Sequence, residues 1–175
     1  MRSLLALHPQ GVLALRAVLA LLLLFAGSAW AETMQGVVIV VIDGDTVLFK
    51  PDHYHSSSRA FLKVRLADID VPEQGQPHGE AATRALREIA LKQRATLDIV
   101  ASDHYGRKLG QLKVGTLGVN AELVRRGDAW SSSRAAGNPL HSLESEAQLA
   151  RRGLWADTSP MPPWVWRRAQ SVPAP

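Results

Sequence analysis

The stretch Arg65-Leu66-Ala67-Asp68-Ile69-Asp70-Val71-Pro72-Glu73 sets one guanidinium and three carboxylates within nine residues. It begins as a strand. Phe61, Leu62, Val64 and Leu66 are apolar, with Lys63 and Arg65 between them. That near-alternation fits a half-buried strand with Arg65 on its open face. Pro72 biases Val71 to an extended conformation, so the carboxylates leave the sheet on a stiffened exit. Charges at a loop edge are usually just solvated, and two other stretches bear on whether these are. In Asp43-Gly44-Asp45-Thr46 a tight turn explains Asp43 and Gly44. It leaves Asp45 unexplained, because Asp is poor inside a strand. If the strands are neighbours, Asp45 meets Asp70. Two carboxylates and a backbone carbonyl make a hard-oxygen site for Ca²⁺ or Mg²⁺, completed by water and substrate. The second stretch is Asp103-His104-Tyr105-Gly106-Arg107-Lys108. It reads either as a charged surface β-turn or as a turn that aims a second guanidinium at the same pocket. A planar fork of fixed charge matches phosphate oxygens better than an ammonium does.

These side chains need a scaffold, and the apolar pattern supplies one. Gly36 to Ile42 is a β-branched run that reads as a buried strand, followed by a turn at Asp43-Gly44 and a returning strand Thr46 to Phe49. A polar loop from Pro51 to Arg59 leads into the third strand, Phe61 to Ala67. Ala81, Ala82, Ala85, Leu86, Ile89 and Ala90 form one stripe at helical spacing, predicting a helix from about Glu80 to Lys92. Strands follow at Ala95 to Val100 and Lys108 to Val114. A short helix, Val119 to Arg126, is closed by Gly127. Asn138-Pro139 opens a last helix that runs to Arg152, with Leu140, Leu143, Ala147 and Ala150 inward. Five short strands with a helix after the third suit an α+β, five-stranded Greek-key barrel of the OB type with about three helices. An open α+β sandwich is the alternative.

Composition bounds the setting. The chain has 175 residues and no cysteine, which excludes thiol catalysis and Cys-ligated zinc. Arg2 and Arg16 precede an apolar run from Ala17 to Gly27 and then Ser28-Ala29-Trp30-Ala31. This is the layout of a secretory signal peptide cleaved after Ala31. The apolar run is short of the roughly 20 residues that span a bilayer. Expected units are therefore a signal at 1–31, a folded domain at 32–156 and a Pro/Trp/Arg-rich tail at 157–175. That domain and tail would work outside the cytosol, periplasmic or secreted, with no stable membrane span. Without the leader, 18 basic residues face 16 acidic ones, a net charge of +2. So mild a charge only weakly favours a polyanionic partner. Asp157 to Pro175 reads as extended, with Trp164, Trp166, Arg167 and Arg168 able to dock on the body. The alternating Asp52-His53-Tyr54-His55 reads as a solvated loop lacking a third metal ligand.

Taken in order, the stretches resemble the staphylococcal nuclease (thermonuclease) family. The similarity runs from about Gln35 to Trp155. It rests on Ile42-Asp43-Gly44-Asp45-Thr46, Val64-Arg65-Leu66, Asp70-Val71-Pro72-Glu73, Tyr105-Gly106-Arg107, Val119 through Gly127 and Ala150 through Trp155. The family has an OB-fold barrel and cleaves DNA and RNA with calcium. The resemblance implies that Asp45 and Asp70 ligate Ca²⁺, with the carbonyl of Val71 as a third ligand. By the same resemblance Arg65 and Arg107 grip the scissile phosphate, and Glu73 positions or deprotonates the attacking water. The resemblance also implies that Tyr105 lies beside a neighbouring phosphate. Products ending in a 3′-phosphate are also implied, and a monomeric chain is expected. Two positions depart from the family. Val71 stands where members often have Thr, and Trp130-Ser131-Ser132-Ser133 stands where the best-known members carry tyrosines. A non-catalytic OB module for nucleic acid or oligosaccharide, or an envelope interaction protein working through its tail, are the competing functions.

Overall fold

The computed structural model describes residues 32–171 apart from 56, 58, 59 and 134. The expected signal peptide and its cleavage site lie outside the described residues. Strands β1 (Glu32–Val41), β2 (Thr46–Pro51), β3 (Leu62–Leu66), β5 (Arg94–Ser102) and β6 (Lys108–Val114) form the barrel. β1 pairs antiparallel with β2 and β5, β2 with β3, and β5 with β6. Closure comes from one parallel pairing, β3 with β6, in which Arg65 lies opposite Leu109. The closed barrel is the expected OB architecture, and the open sandwich does not form.

Inside the barrel sit Val38, Val47, Phe49, Val64, Leu66, Leu97 and Leu112, all buried. They come from alternate positions because successive side chains on a strand point to opposite faces. The β-branched run does not stay buried throughout, as had been expected. The register of β1 against β2 shifts between Val38 and Val40. Val40 and Ile42 are left outward, each 42% exposed. A single barrel wall has only one inner face, so a continuous apolar run must put part of itself outside. Gly36 permits the tight approach of β1 and β2: a Cβ there would lie 2.3 Å from the Lys50 carbonyl oxygen.

Helix α1 (Gly79–Ala90) buries Ala82, Ala85, Leu86, Ile89 and Ala90 of its expected stripe, while Ala81, at the stripe's edge, is half-buried. Helix α2 (Val119–Arg126) ends at Gly127, which is left-handed at φ 77°. Two short strands, β4 (Ile69–Asp70) and β8 (Trp130–Ser131), pair antiparallel, and β7 (Leu117–Gly118) turns back to pair antiparallel with the end of β6. Helix α3 (Pro139–Leu149) is capped by Asn138, whose side chain accepts from the Leu140 N–H. It stops before Arg152, and Ala150 is exposed rather than inward. The reason is a chain reversal. Arg151 takes φ 52°, and Leu154 N–H then bonds the Gly127 carbonyl at 2.9 Å. A 3₁₀ turn (Gly153–Ala156) follows. The tail then departs from expectation. Pro162 and Pro163 start a fourth helix, α4 (Pro163–Gln170), where extended chain had been read. Proline is as well suited to a first helical turn as to extended structure. Among the described residues no helix is long and apolar enough to cross a membrane.

Candidate active site

One end of the barrel carries a cleft of about 580 Å³ bordered by all seven residues singled out from the sequence: Asp45, Arg65, Asp70, Val71, Glu73, Tyr105 and Arg107. Sheet geometry brings the first members together. Thr46 lies opposite Arg65 in the β2–β3 pair. Leu66 N–H bonds the Asp45 carbonyl at 2.8 Å, which fixes the turn against the third strand. Gly44 is required there for space, since a Cβ would meet the Ala82 side chain at 2.9 Å and that of Val71 at 3.0 Å. As a result one nitrogen of Arg65, Nη2, stands 3.0 Å from Asp45 Oδ2 and 3.1 Å from Asp70 Oδ1.

Both carboxylates are buried. Burial pushes the Asp45 carboxyl up to about 6, against the lowering effect of Arg65. Thr46 donates its hydroxyl to Asp45 Oδ1 at 2.8 Å. Two desolvated carboxylates that converge on one cation suit a hard divalent ion, whose charge would relieve the burial cost. Among the described residues no three His, Asp or Glu side chains gather into a metal cluster, either here or in the His53–His55 loop. A cation at Asp45 and Asp70 would therefore need carbonyl, water or substrate oxygens to complete its shell. The donor set fits such an ion.

Arg107 reaches the cleft from the turn between β5 and β6. Its Nε donates to Asp103 Oδ2 at 2.7 Å. Asp103 Oδ1 accepts from the backbone N–H of Tyr105 and Arg107 at 3.0 and 2.9 Å. One carboxylate thus shapes the turn and orients the guanidinium. The Arg107 guanidinium carbon lies 5.7 Å from the centre of the Tyr105 ring, which is 74% exposed. Glu73 sits on the exit loop, its N–H bonded to Gln76 Oε1 at 2.9 Å.

Three contributors had no role in the sequence reading. Asn120, buried on α2, accepts from Leu112 N–H at 3.0 Å and donates to the carbonyls of Ala67 and Gly110 at 2.9 and 3.2 Å. It ties the exit of β3 to β6 and so holds the chain just ahead of Asp70. Asp103 was visible only as part of a turn. Arg167 of α4 is the third. Its Nη1 and Nη2 donate to Asp70 Oδ1 and Oδ2 at 3.2 and 2.8 Å, and Nη1 also bonds Glu73 Oε1. Asp70 and Glu73 hold Arg167 all the more firmly in its charged form. Docking of the tail had been read as an option, but its partner lies 97 residues away in sequence and no local pattern names it.

Comparison with known proteins gives the family. Residues 63–157 match the family model described as Staphylococcal nuclease homologue. Protein ParB of Escherichia coli is 39% identical over 88% of this chain and 90% of its own length. A protein named Micrococcal nuclease from Shigella flexneri is 36% identical, covering 89% of this chain and 93% of its own. An Uncharacterized endonuclease of Escherichia coli O157:H7 is 34% identical over 83% and 93% of the two chains. With its closed barrel, its clustered carboxylates and guanidiniums, and these relatives, the chain belongs to the staphylococcal nuclease family, hydrolases of the nuclease class.

Proposed function

We propose that the protein is a calcium-dependent endonuclease that hydrolyses phosphodiester bonds of DNA, RNA or both and leaves 3′-phosphate ends. One observation carries this reading: Asp45, Asp70, Glu73 and the guanidiniums of Arg65 and Arg107 border a single cleft. The printed names of the relatives, micrococcal nuclease and endonuclease, support the same class.

Phosphodiester hydrolysis builds negative charge on the phosphoryl oxygens as water attacks. Ca²⁺ held by Asp45, Asp70 and the Val71 carbonyl would polarise a phosphoryl oxygen and offset that charge. Arg65 and Arg107 donate N–H groups to the same oxygens from positions already organised before the reaction. Glu73 takes a proton from the attacking water at its carboxylate. The bond from water oxygen to phosphorus forms and the bond from phosphorus to O5′ breaks. Phosphate stays on the 3′ side, and the departing oxygen takes a proton from solvent. Tyr105, exposed at the rim, lies beside the next phosphate. In this reading the working protein is a monomer, exported to the periplasm or beyond after cleavage behind Ala31.

Digestion of single- and double-stranded DNA and RNA, with calcium or with chelator, tests the proposal. Calcium-dependent products with 3′-phosphate ends are expected. Binding of nucleic acid in calcium without any product would instead make the chain a binding module.

A further inference from the structure

Helix α4 makes a contact that the proposed reaction does not use. Arg167 takes both oxygens of Asp70 and also bonds Glu73. Asp70 Oδ1 already accepts from Arg65. The oxygens assigned to a cation and to the attacking water's base are therefore engaged by a residue of the same chain. A guanidinium is always charged and its planar fork suits carboxylates, so it can fill an anionic site in place of a metal ion.

The tail is guided to this position. Gln76 accepts from Glu73 N–H through Oε1 and donates through Nε2 to the Met161 carbonyl at 2.6 Å. His78 Nε2 lies 2.9 Å from Asp157 Oδ2. The Trp164 ring meets the Trp130 ring edge-on, 6.3 Å between centres. Yet the helix itself is lightly held. Of its eight residues only Pro163 is buried, and Trp164 and Val165 are 43% and 40% exposed. The approach is tied to the body at Gln76 and His78, whereas the helix buries only Pro163, so the Arg167 ion pairs rather than apolar packing hold it at the cleft.

We propose that Arg167 is a built-in cation surrogate: it occupies Asp70 and Glu73 in the resting protein and must withdraw before a divalent ion binds and Glu73 acts as base. The proposal rests on the nuclease reading and adds self-inhibition to it. Calcium and Arg167 compete for Asp70, so removal of the guanidinium tightens calcium binding. If Arg167 is seated about nine-tenths of the time, the gain is about tenfold.

Isothermal titration of calcium into the purified wild-type protein, Arg167→Ala and Arg167→Gln tests this, with Arg168→Ala as control. The glutamine variant keeps reach and polarity without the charge. Both Arg167 variants should bind calcium about tenfold more tightly than wild type. They should also reach half-maximal DNA cleavage at correspondingly lower calcium, while Arg168→Ala follows wild type. Unchanged or weaker calcium binding in both Arg167 variants, with calcium-dependent cleavage intact in the wild type, would overturn the surrogate and leave the nuclease reading standing. Absence of both calcium binding and cleavage in all four proteins would overturn the nuclease reading and the surrogate with it.

Discussion

Arg65 and Arg107 reach one cleft from different kinds of structure. Arg65 lies within β3, paired on one side with β2 and on the other with β6, and it serves two buried carboxylates at once. Arg107 lies at the end of a turn and depends on one acid four residues away, Asp103. The wall half of the cleft is therefore part of the fold, and the turn half is a local device set upon it. Removing Arg65 leaves buried Asp45 without its cation, although Arg167 still pairs with Asp70, whereas removing Arg107 from its self-contained turn leaves the core untouched.

The largest expected effects separate the two halves. Arg65→Ala and Arg107→Ala should each slow DNA cleavage by roughly 10²–10³, the usual loss for one preorganised donor. Only Arg65→Ala should also destabilise the protein, by about 2 kcal/mol, because Asp45 loses the partner that opposes its burial. Chemical denaturation beside single-turnover cleavage checks both. Equal stability of the two variants would erase the distinction.

Asn120→Ala probes the wall from behind. It strands Leu112 N–H and weakens the hold on the Ala67 carbonyl, so a loss of about 2–3 kcal/mol is expected in urea unfolding. A smaller fall in cleavage rate should follow, since Asn120 touches neither carboxylate. In the turn half, Asp103→Ala should lower cleavage about tenfold by freeing a guanidinium that remains present. Its melting temperature should match that of the wild type.

A smaller effect belongs to the far side of α2. Two hydrogen bonds from Arg125, with one from Arg126, hold the Glu122 carboxyl down to about 2, against the opposing effect of burial. Its unfolded value is near 4.5. Because the folded value is the lower one, the stabilisation is complete above pH 4.5. It is lost as pH falls from there through about 2. Glu122→Gln should flatten that acid limb of stability, by about 1 kcal/mol given the exposed arginine partners. Thermal melts between pH 2 and 6 measure it.

Legibility in the sequence follows the same division. Alternation around Val64, Arg65 and Leu66 revealed the strand, and the misplaced Asp45 marked a carboxylate that the turn alone does not explain. Both signals are local, and barrel pairing then brought Asp45, Arg65 and Asp70 together. Val40 and Ile42 misled because a β-branched run does not disclose where a bulge turns it outward. The early end of α3 depends on Gly153 meeting Gly127, a contact between distant segments. Pro162-Pro163 suits both extended chain and a helix start, so the tail helix was not separable by composition. Arg167 was hidden for the deepest reason: its partners are fixed by tertiary structure alone.

The central claim is that the carboxylates and guanidiniums at the barrel end form a calcium-assisted phosphodiester active site with Glu73 as its base. The most direct measurement is the single-turnover rate of plasmid nicking at saturating calcium for wild type and Glu73→Gln, each confirmed as folded by thermal melting. The account predicts a rate at least about 10² lower in the variant, the usual worth of general base catalysis, and no nicking by either protein in chelator. Equal rates for the two folded proteins, or nicking that persists in chelator, would contradict it.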